Sequence, residues 1–376
     1  MREVYVIGVG VAKCGRYPDK GIEDLGYVAC RNALKDAGID PREIQGAFCG
    51  NVNNGMAPGQ RVFSKVGILG IPTVNVENAC ASGSTAFHQA YLSVASGLYD
   101  VAIAAGVEKM AAGLLDLGMK DPESEMGLVV TPAWFAMEAN RHMAEYGTTI
   151  EQISKVSVKN HRHAISNPFA QFQREFSLEE VLNSRMVADP LTLLNMCPNG
   201  DGAAATILCC GEKVSKYQAK AIRVAASVMG GGVYQSPRET PAPDLTTRTA
   251  RKAYQIAGVG PEDLNVAEVH DCSSIMEMLE CERLELCEKG EAGRLIDEGT
   301  TALGGKLPVN PSGGLLSRGH PIGATGLYQI SEIIWQLRGE AGGRQVPNAK
   351  VGLTQNAGAG SNEMDGGTCN INIFMR

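Results

Sequence analysis

CASGSTAFHQ, residues 80–89, and HPIGATGLYQ, residues 320–329, are the two stretches on which the fold turns. Set one above the other, Gly83, Thr85 and Gln89 match Gly323, Thr325 and Gln329. A second pair falls earlier in each half. ALKDAGIDPREIQGAF (33–48) lines up with AYQIAGVGPEDLNVAEV (253–269), each a helix tail, an Ala-Gly stop, a Pro-led turn and a strand start. The offsets, 240 and 220 residues, are too long for a solenoid and read as an old duplication, two similar α/β domains packed together. In this register Cys80 stands opposite His320. Pseudo-twofold packing would aim both side chains into one cleft, each from the start of a buried helix.

Outward from these stretches, strand-like runs (VYVIGVG, VAIAAGV, AAATILCC, VAEVH, VGLTQ, NINIF) alternate with helical ones (LGYVACRNALKDAG, STAFHQAYLSVASG, TARKAYQIAG, SIMEMLECERLEL, LYQISEIIWQLRG). That alternation predicts a layered α/β architecture with a largely buried sheet. Residues 116–195 read differently, rich in Met, Glu, Asn, His and Phe, as an inserted helical and loop region covering the cleft. The chain returns to the first half through NGDGAAATILCC, a glycine turn and a buried strand. The expected division is a first half of 1–115 plus 196–215, the insertion 116–195, and a second half 216–376.

Composition narrows the class. The chain has 376 residues, 44% apolar and 20% charged, with a net charge of −7, which argues against nucleic acid or an anionic membrane as partner. No stretch approaches the roughly 18 uninterrupted apolar residues of a membrane span, and MREVYVIGVG enters a strand directly, without the layout of a signal peptide. The eleven cysteines include no C-x-x-C pair. Neither a disulfide framework nor a zinc ribbon is indicated, and a reducing cytoplasm is the expected setting. Most of these thiols should be small buried fillers.

Cys80 lies between a short apolar strand and a run of small residues that reads as a helix. A thiol at a helix N-terminus meets unpaired N–H groups and the positive end of the macrodipole, a setting that favours thiolate. A buried filler and a nucleophile both remain open on local context. His320 sits in NPSGGLLSRGHPIGATG (310–326), a glycine-rich corner with Pro321 at an expected first helical position. Such a corner suits a base that takes the Cys80 proton better than a core histidine. VAEVHDCSS (266–274) ends a strand with His270, Asp271 and Cys272 at its C-terminal edge, where α/β sheets bind ligands. It offers a second imidazole and a second thiol to the same cleft.

Three further features carry less. LTQNAGAGSNEMDGG (353–367) is a strand running into a glycine-rich loop that either presents N–H groups to an oxyanion or is plain surface. GVGVAKCG (8–15) lacks the third glycine of a dinucleotide fingerprint. His161 and His163 have no partner at metal-ligand spacing and read as a solvated helix face.

The segments ENACASGSTAF, DGAAA, HDCSS and NPSGGLLSRGHPIGATG stand in the order and context of the thiolase superfamily, which the chain resembles over essentially its whole length. HDC, where many thiolases carry N-E-A-F, makes it similar to the sterol-carrier-protein type and its bacterial and archaeal acetyl-CoA acetyltransferase-like relatives. The resemblance implies the thiolase fold: two duplicated five-stranded βαβαβαββ halves in an α-β-α-β-α layering, with the loop region binding CoA. It implies that Cys80 is the acylated nucleophile and His320 its base. His320 with His270 would form one oxyanion hole, and the backbone N–H groups of Cys80 and Gly358 the other. Most thiolases carry a second catalytic cysteine in a C-x-G segment. Here that stretch is Asn356-Ala357-Gly358, so the acid/base role would pass to Cys272. Ser273 stands where many such sequences have Phe, which would open the pocket wall to a bulkier or more polar acyl group.

The function implied is reversible CoA-dependent cleavage of a 3-oxoacyl-CoA through an acyl-cysteine, or the reverse Claisen condensation. Acetoacetyl-CoA is the default substrate, with a bulkier or aromatic 3-oxoacyl-CoA of the benzoylsuccinyl type also open. No cofactor or metal is implied; CoA enters as substrate. A homodimer through the first-half sheets and a small zinc-ribbon OB-fold partner belong to the same expectation. A decarboxylating ketosynthase, an aldolase-type lyase and a subunit active only with its partner are the competing readings. Cys272 argues against the first and retention of Cys80 against the second.

Overall fold

The computed structural model describes residues 1–111, 113, 130–217, 220–234, 243–358 and 365–376. The first half runs β1 (Val4–Val11), α1 (Ile22–Ala37), β2 (Gly46–Gly50), α2 (Pro58–Val66), β3 (Thr73–Val76), α3 (Ser82–Ala95) and β4 (Val101–Glu108). The inserted region holds α4 (Thr131–Tyr146), α5 (Ile150–Ala164), α6 (Leu178–Leu182) and the strand pair β5 (Met186–Ala188) and β6 (Leu191–Thr192). β7 (Gly202–Cys210) returns to the first sheet. The second half follows as β8 (Ile222–Gly231), α7 (Leu245–Ala257), β9 (Val266–Glu268), α8 (Ser274–Arg283), α9 (Ala292–Asp297), α10 (Gly314–Arg318), α11 (Thr325–Arg338), β10 (Val351–Gly358) and β11 (Thr368–Met375). Residues 116–129 of the expected insertion and 359–364 of the glycine-rich loop lie outside the described residues.

Strand order is β3-β2-β4-β7-β1-β8-β11-β10-β9. The duplication is visible in it: β3-β2-β4-β7-β1 of the first half is mirrored by β9-β10-β11-β8 of the second. The counterpart of β3 is reduced to a single bridge, Ala267 to Val309. The two duplicated halves are those implied, and a short antiparallel pairing, Tyr5 with Arg223 and Val6 with Ile222, joins them into one nine-stranded mixed sheet. The local repeat is equally plain. Gly38 and Gly258 close α1 and α7 with φ 66° and 71°, the left-handed geometry glycine accepts most readily, and a Pro-led turn follows each.

Period-two alternation sends each strand's side chains to two layers. In β4, Ala102 and Ala104 face a core shared with α3 and α11, while Val101, Ile103, Ala105 and Val107 face α1 and α2. The second half has its own outer layer, where α7 covers β8 and β11. α3 and α11 therefore form the central layer. Helices at that level are buried nearly all round, as Leu327, Ile330, Ile333, Ile334 and Leu337 of α11 are.

The glycines of GVGVAKCG have a packing role. A Cβ on Gly8 would lie 2.4 Å from Ala33 O, and one on Gly10 2.3 Å from Ala29 O, so α1 rides directly on β1. His161 and His163 correct the expectation of a solvated face. Both are buried, His161 Nδ1 meeting Ser317 Oγ at 2.9 Å and His163 Nδ1 meeting Asn310 O at 3.0 Å. α5 packs those rings onto the loop that leads to His320, and burial lowers their pKa values to about 4 and about 3.

Candidate active site

Each candidate side chain is set by a local turn. After β3 the chain bends through Ala79, whose φ of 47° is left-handed; a non-glycine residue there costs on the order of 1–3 kcal/mol. The bend is held by Ala79 N donating to Glu77 Oε1 at 2.5 Å, Asn78 N to Ser82 Oγ at 2.9 Å and Ala81 N to Asn78 O at 3.0 Å. Cys80 is thereby placed just ahead of α3. His320 follows Gly319 (φ 109°) and opens the turn Pro321–Ala324, closed by Ala324 N donating to Pro321 O at 2.8 Å. Pro321 thus lies in the turn before α11, whose first residue is Thr325. His270 follows β9, its backbone N–H donating to Gln355 Oε1 at 2.9 Å. Asp271 turns away to accept Leu315 N at 2.7 Å, capping α10.

These turns bring Cys80, His270 and His320 together. One potential ligand or reacting atom from each lies within 4.8 Å of the others, and the imidazole centroids are 5.2 Å apart with the planes at 89°. Among the described residues they are the one set of three such groups spaced to share a metal ion.

The outer ring nitrogens differ in their hydrogen bonding. Thr325 Oγ1 donates its single proton to Pro321 O at 3.0 Å, so at 2.7 Å it accepts from His320 Nδ1. His320 Nε2 is left with a lone pair, the form a base needs. Ser84 Oγ donates to Asn356 Oδ1 at 2.7 Å, and Asn356 Nδ2 donates to His270 Nδ1 at 2.8 Å. That bond places the His270 proton on Nε2, which makes the ring a donor.

Electrostatics agree with this division of labour. Burial, and then Arg318, hold His270 down at about pKa 4. Burial, His270 and Arg318 hold His320 well below the ordinary range. Arg318 lies over the Tyr328 ring at 5.2 Å and 3.7 Å from Glu268 Oε2. Both rings are neutral at pH 7. Cys80 departs from the expected lowered pKa. Burial, with the carboxylates of Glu108 and Glu77, pushes the thiol up to about 12, outweighing the start of α3. At rest the pair is thiol and neutral imidazole, with the proton still to be moved.

Cys272 and Cys197 stand beside them. Cys197 N donates to Cys272 O at 3.1 Å, Met196 bridges Ser273 and Asn199 bridges His320, so residues 196–199 are stitched between the two histidine loops. Most cysteines are buried, as expected; only Cys80, Cys197, Cys272 and Cys287 keep partial exposure. Three of those four gather here: Cys80 raises the pKa of Cys197, and both raise that of Cys272, with burial the larger cause in each. Gly358 packs its backbone on the Cys80 turn, since a Cβ there would lie 2.2 Å from Asn78 O. The Ser273 hydroxyl is buried without a partner.

Sequence reasoning missed Cys197, the side chain of Asn356, Thr325 as partner to His320, and Glu108. Its position just ahead of DGAAA was the available signal for Cys197. A cleft of about 1400 Å³ lined by Arg141, Arg251, Arg283 and Arg294 lies elsewhere and includes none of the candidates.

Comparison with known proteins matches residues 4–212 to the thiolase N-terminal domain and 218–364 to the thiolase C-terminal domain-like family. The benzoylsuccinyl-CoA thiolase subunit BbsB of Thauera aromatica is 45% identical over 96% of this chain and 95% of its own. An acetyl-CoA acetyltransferase of Methanothermobacter thermautotrophicus is 43% identical over 100% of both chains. Human sterol carrier protein 2 is 42% identical over 96% of this chain and 70% of its own. Two solved structures share the fold: an Ltp2-ChsH2(DUF35) aldolase (TM-score 0.87, 24% identity, 99% of this chain, 98% of that one) and human mitochondrial 3-ketoacyl-CoA thiolase (TM-score 0.72, 17%, 100% and 98%). On the two domain matches and full-length identities above 40%, the chain belongs to the thiolase family.

Proposed function

We propose that the protein cleaves a 3-oxoacyl-CoA with CoA, or runs the reverse Claisen condensation, through an acyl group carried on Cys80. The observation that carries this reading is the convergence of the Cys80, His270 and His320 reacting atoms within 4.8 Å. His320 Nε2 takes the Cys80 proton, and the thiolate adds to the 3-keto carbon, whose oxyanion meets the backbone N–H groups of Cys80 and Gly358. The C2–C3 bond then breaks. Its electron pair moves into an acyl-CoA enolate stabilised by His270 Nε2–H and the now protonated His320, and Cys272 delivers its proton to C2. In the second half-reaction the CoA thiol gives its proton back to Cys272 and attacks the acyl-cysteine. Cys80 is expelled and recovers its proton from His320. Each oxyanion donor contributes roughly 3 kcal/mol to such steps.

Coenzyme A enters as substrate and no cofactor is called for. The reading includes the division into halves 1–115 plus 196–215 and 216–376, with 116–195 laid over the CoA and acyl site. Acetoacetyl-CoA is the starting substrate. The similarity to a benzoylsuccinyl-CoA thiolase subunit and the unpartnered Ser273 hydroxyl support testing bulkier, aromatic acyl groups beside it. A lyase needing no acyl-cysteine leaves the placement of Cys80 beside the base His320 and the donor His270 unexplained. The eleven free thiols support a cytoplasmic setting, and among the described residues no helix is long and apolar enough to cross a membrane. The DUF35-associated structural neighbour supports a small OB-fold partner. The exposed edge strand β3 supports a homodimer.

The test is mass spectrometry of the chain quenched after mixing with acetoacetyl-CoA. An acetyl adduct on Cys80 is expected, absent from Cys80→Ala. Acylation of another cysteine in the wild type would overturn the assignment.

A further inference from the structure

Glu108 is the last residue of β4, and its side chain is fully buried. Its carboxylate gathers donors from both halves of the chain. Val52 N reaches Oε2 at 2.9 Å, Asn53 N reaches Oε1 at 3.2 Å, and Asn54 Nδ2 also donates to Oε1. From the second half, Gly323 N donates to Oε2 at 3.0 Å. Gly323 belongs to the Pro321–Ala324 turn that presents His320 and starts α11.

The backbone around this junction is packed to contact. A Cβ on Gly323 would lie 2.6 Å from Glu108 Oε2 and 2.7 Å from Asn51 Cα. A Cβ on Gly106 would lie 2.5 Å from Gly323 O, and one on Gly83, in the first turn of α3, 2.9 Å from the same oxygen. The His320 turn is therefore pressed onto the start of the Cys80 helix with no side chain between. The carboxylate is the polar pin of that contact.

We infer that Glu108 is a positioning residue for the Cys80–His320 pair: it holds the His320 turn of one half against the Cys80 helix of the other. The inference rests on the thiolase reading. Proton transfer between the two requires a near-contact geometry, and a shift of about 1 Å in such a pair lowers rates by about 10²-fold. Four donors converge on two oxygens, and only a carboxylate accepts them all. A glutamine at 108 would turn an NH₂ group toward two of the N–H donors, and an aspartate would be one methylene too short.

Two variants of the full chain separate reach from charge. Glu108→Asp keeps the negative charge near Cys80 and loses reach; Glu108→Gln keeps length and loses charge. Both are compared with wild type by thermal melting, by the rate of acetyl transfer from acetyl-CoA to Cys80, and by the rate of Cys80 alkylation with iodoacetamide. Steady-state cleavage of acetoacetyl-CoA gives kcat and KM. The expected result is acetylation and kcat at least about 10-fold lower in both variants, with KM within about twofold. Alkylation stays near wild type in Glu108→Asp and is faster in Glu108→Gln, where the nearby anion is gone. A Glu108→Asp variant that acetylates Cys80 at the wild-type rate overturns the inference, as does a loss carried by KM alone. If Glu108→Gln does not fold, Glu108→Asp decides. Wild type that is never acetylated at Cys80 overturns the thiolase reading, and this inference with it, whereas wild-type acetylation with unaffected variants overturns this inference alone.

Discussion

At the scale of single residues, the site is one in which burial sets proton positions. Cys80, at the head of a helix, was expected to lean toward thiolate. Instead it sits among protein atoms with Glu108 and Glu77 nearby, which pushes its pKa up to about 12. His320 is held well below the ordinary imidazole range. Both shifts favour the uncharged forms, so no thiolate–imidazolium pair exists near neutrality. The sign is checkable. A thiolate–imidazolium pair would make Cys80 alkylation by iodoacetamide level off above about pH 7, whereas a raised thiol pKa makes the rate climb about tenfold per pH unit from pH 7 to 10. Mass-mapped alkylation rates across that range decide it, and a plateau below pH 9 would contradict the neutral resting pair. Cys80 and His320 were legible in the sequence because the repeat aligned them. Cys197 and Glu108 were not, since Cys197 meets Cys272, and Glu108 meets Gly323, only when the two halves pack, which no local pattern encodes.

At the scale of elements, the candidate site is a crossing of two helices. α3 and α11 meet at their N-terminal ends, where Gly326 lets the backbones approach: a Cβ there would lie 2.6 Å from Ser84 Cβ, 2.7 Å from Ser84 N and 2.8 Å from Asn356 Oδ1. Gly326→Ala puts two effects in opposition. Alanine improves helix propensity by about 1 kcal/mol, but overpacking a tight contact costs about 1–3 kcal/mol, and the struck backbone nitrogen cannot rotate aside. Overpacking should win. Urea unfolding is expected to show a net loss of about 1–2 kcal/mol, with kcat falling because Ser84 and Asn356 also orient His270. A variant as stable and active as wild type would show that the crossing relaxes without cost. The helices were legible from periodicity and the matched glycines. The reduction of the second-half edge strand to the Val309 bridge was not, because a strand that short carries no alternation to read.

At the scale of the molecule, the order of parts implied two similar α/β halves packed together, and the structure joins their strands into one sheet. Tyr5 and Val6 pair with Arg223 and Ile222 where the inner edge strands of the halves meet, a long-range register with no sequence signal of its own. Joining the inner edges leaves β3 and β9 as the outer ones. β9 is covered, its three residues buried and Val309 bridged to Ala267. β3 is open: its four residues are half-buried or exposed, Val74 is 45% accessible, and no lysine, proline or bulge lies within Thr73–Val76 to blunt the edge. An edge left in this state is a template for pairing with a second copy, and it lies one short turn ahead of Cys80. Pairing there would tie dimer formation to the support of the Cys80 turn. Sedimentation velocity of the wild type is therefore expected to give a dimer. Val74→Lys, which places a charge on that edge, should shift it toward monomer and lower kcat as well. A wild-type monomer, or a Val74→Lys chain that remains fully dimeric, would place the interface elsewhere.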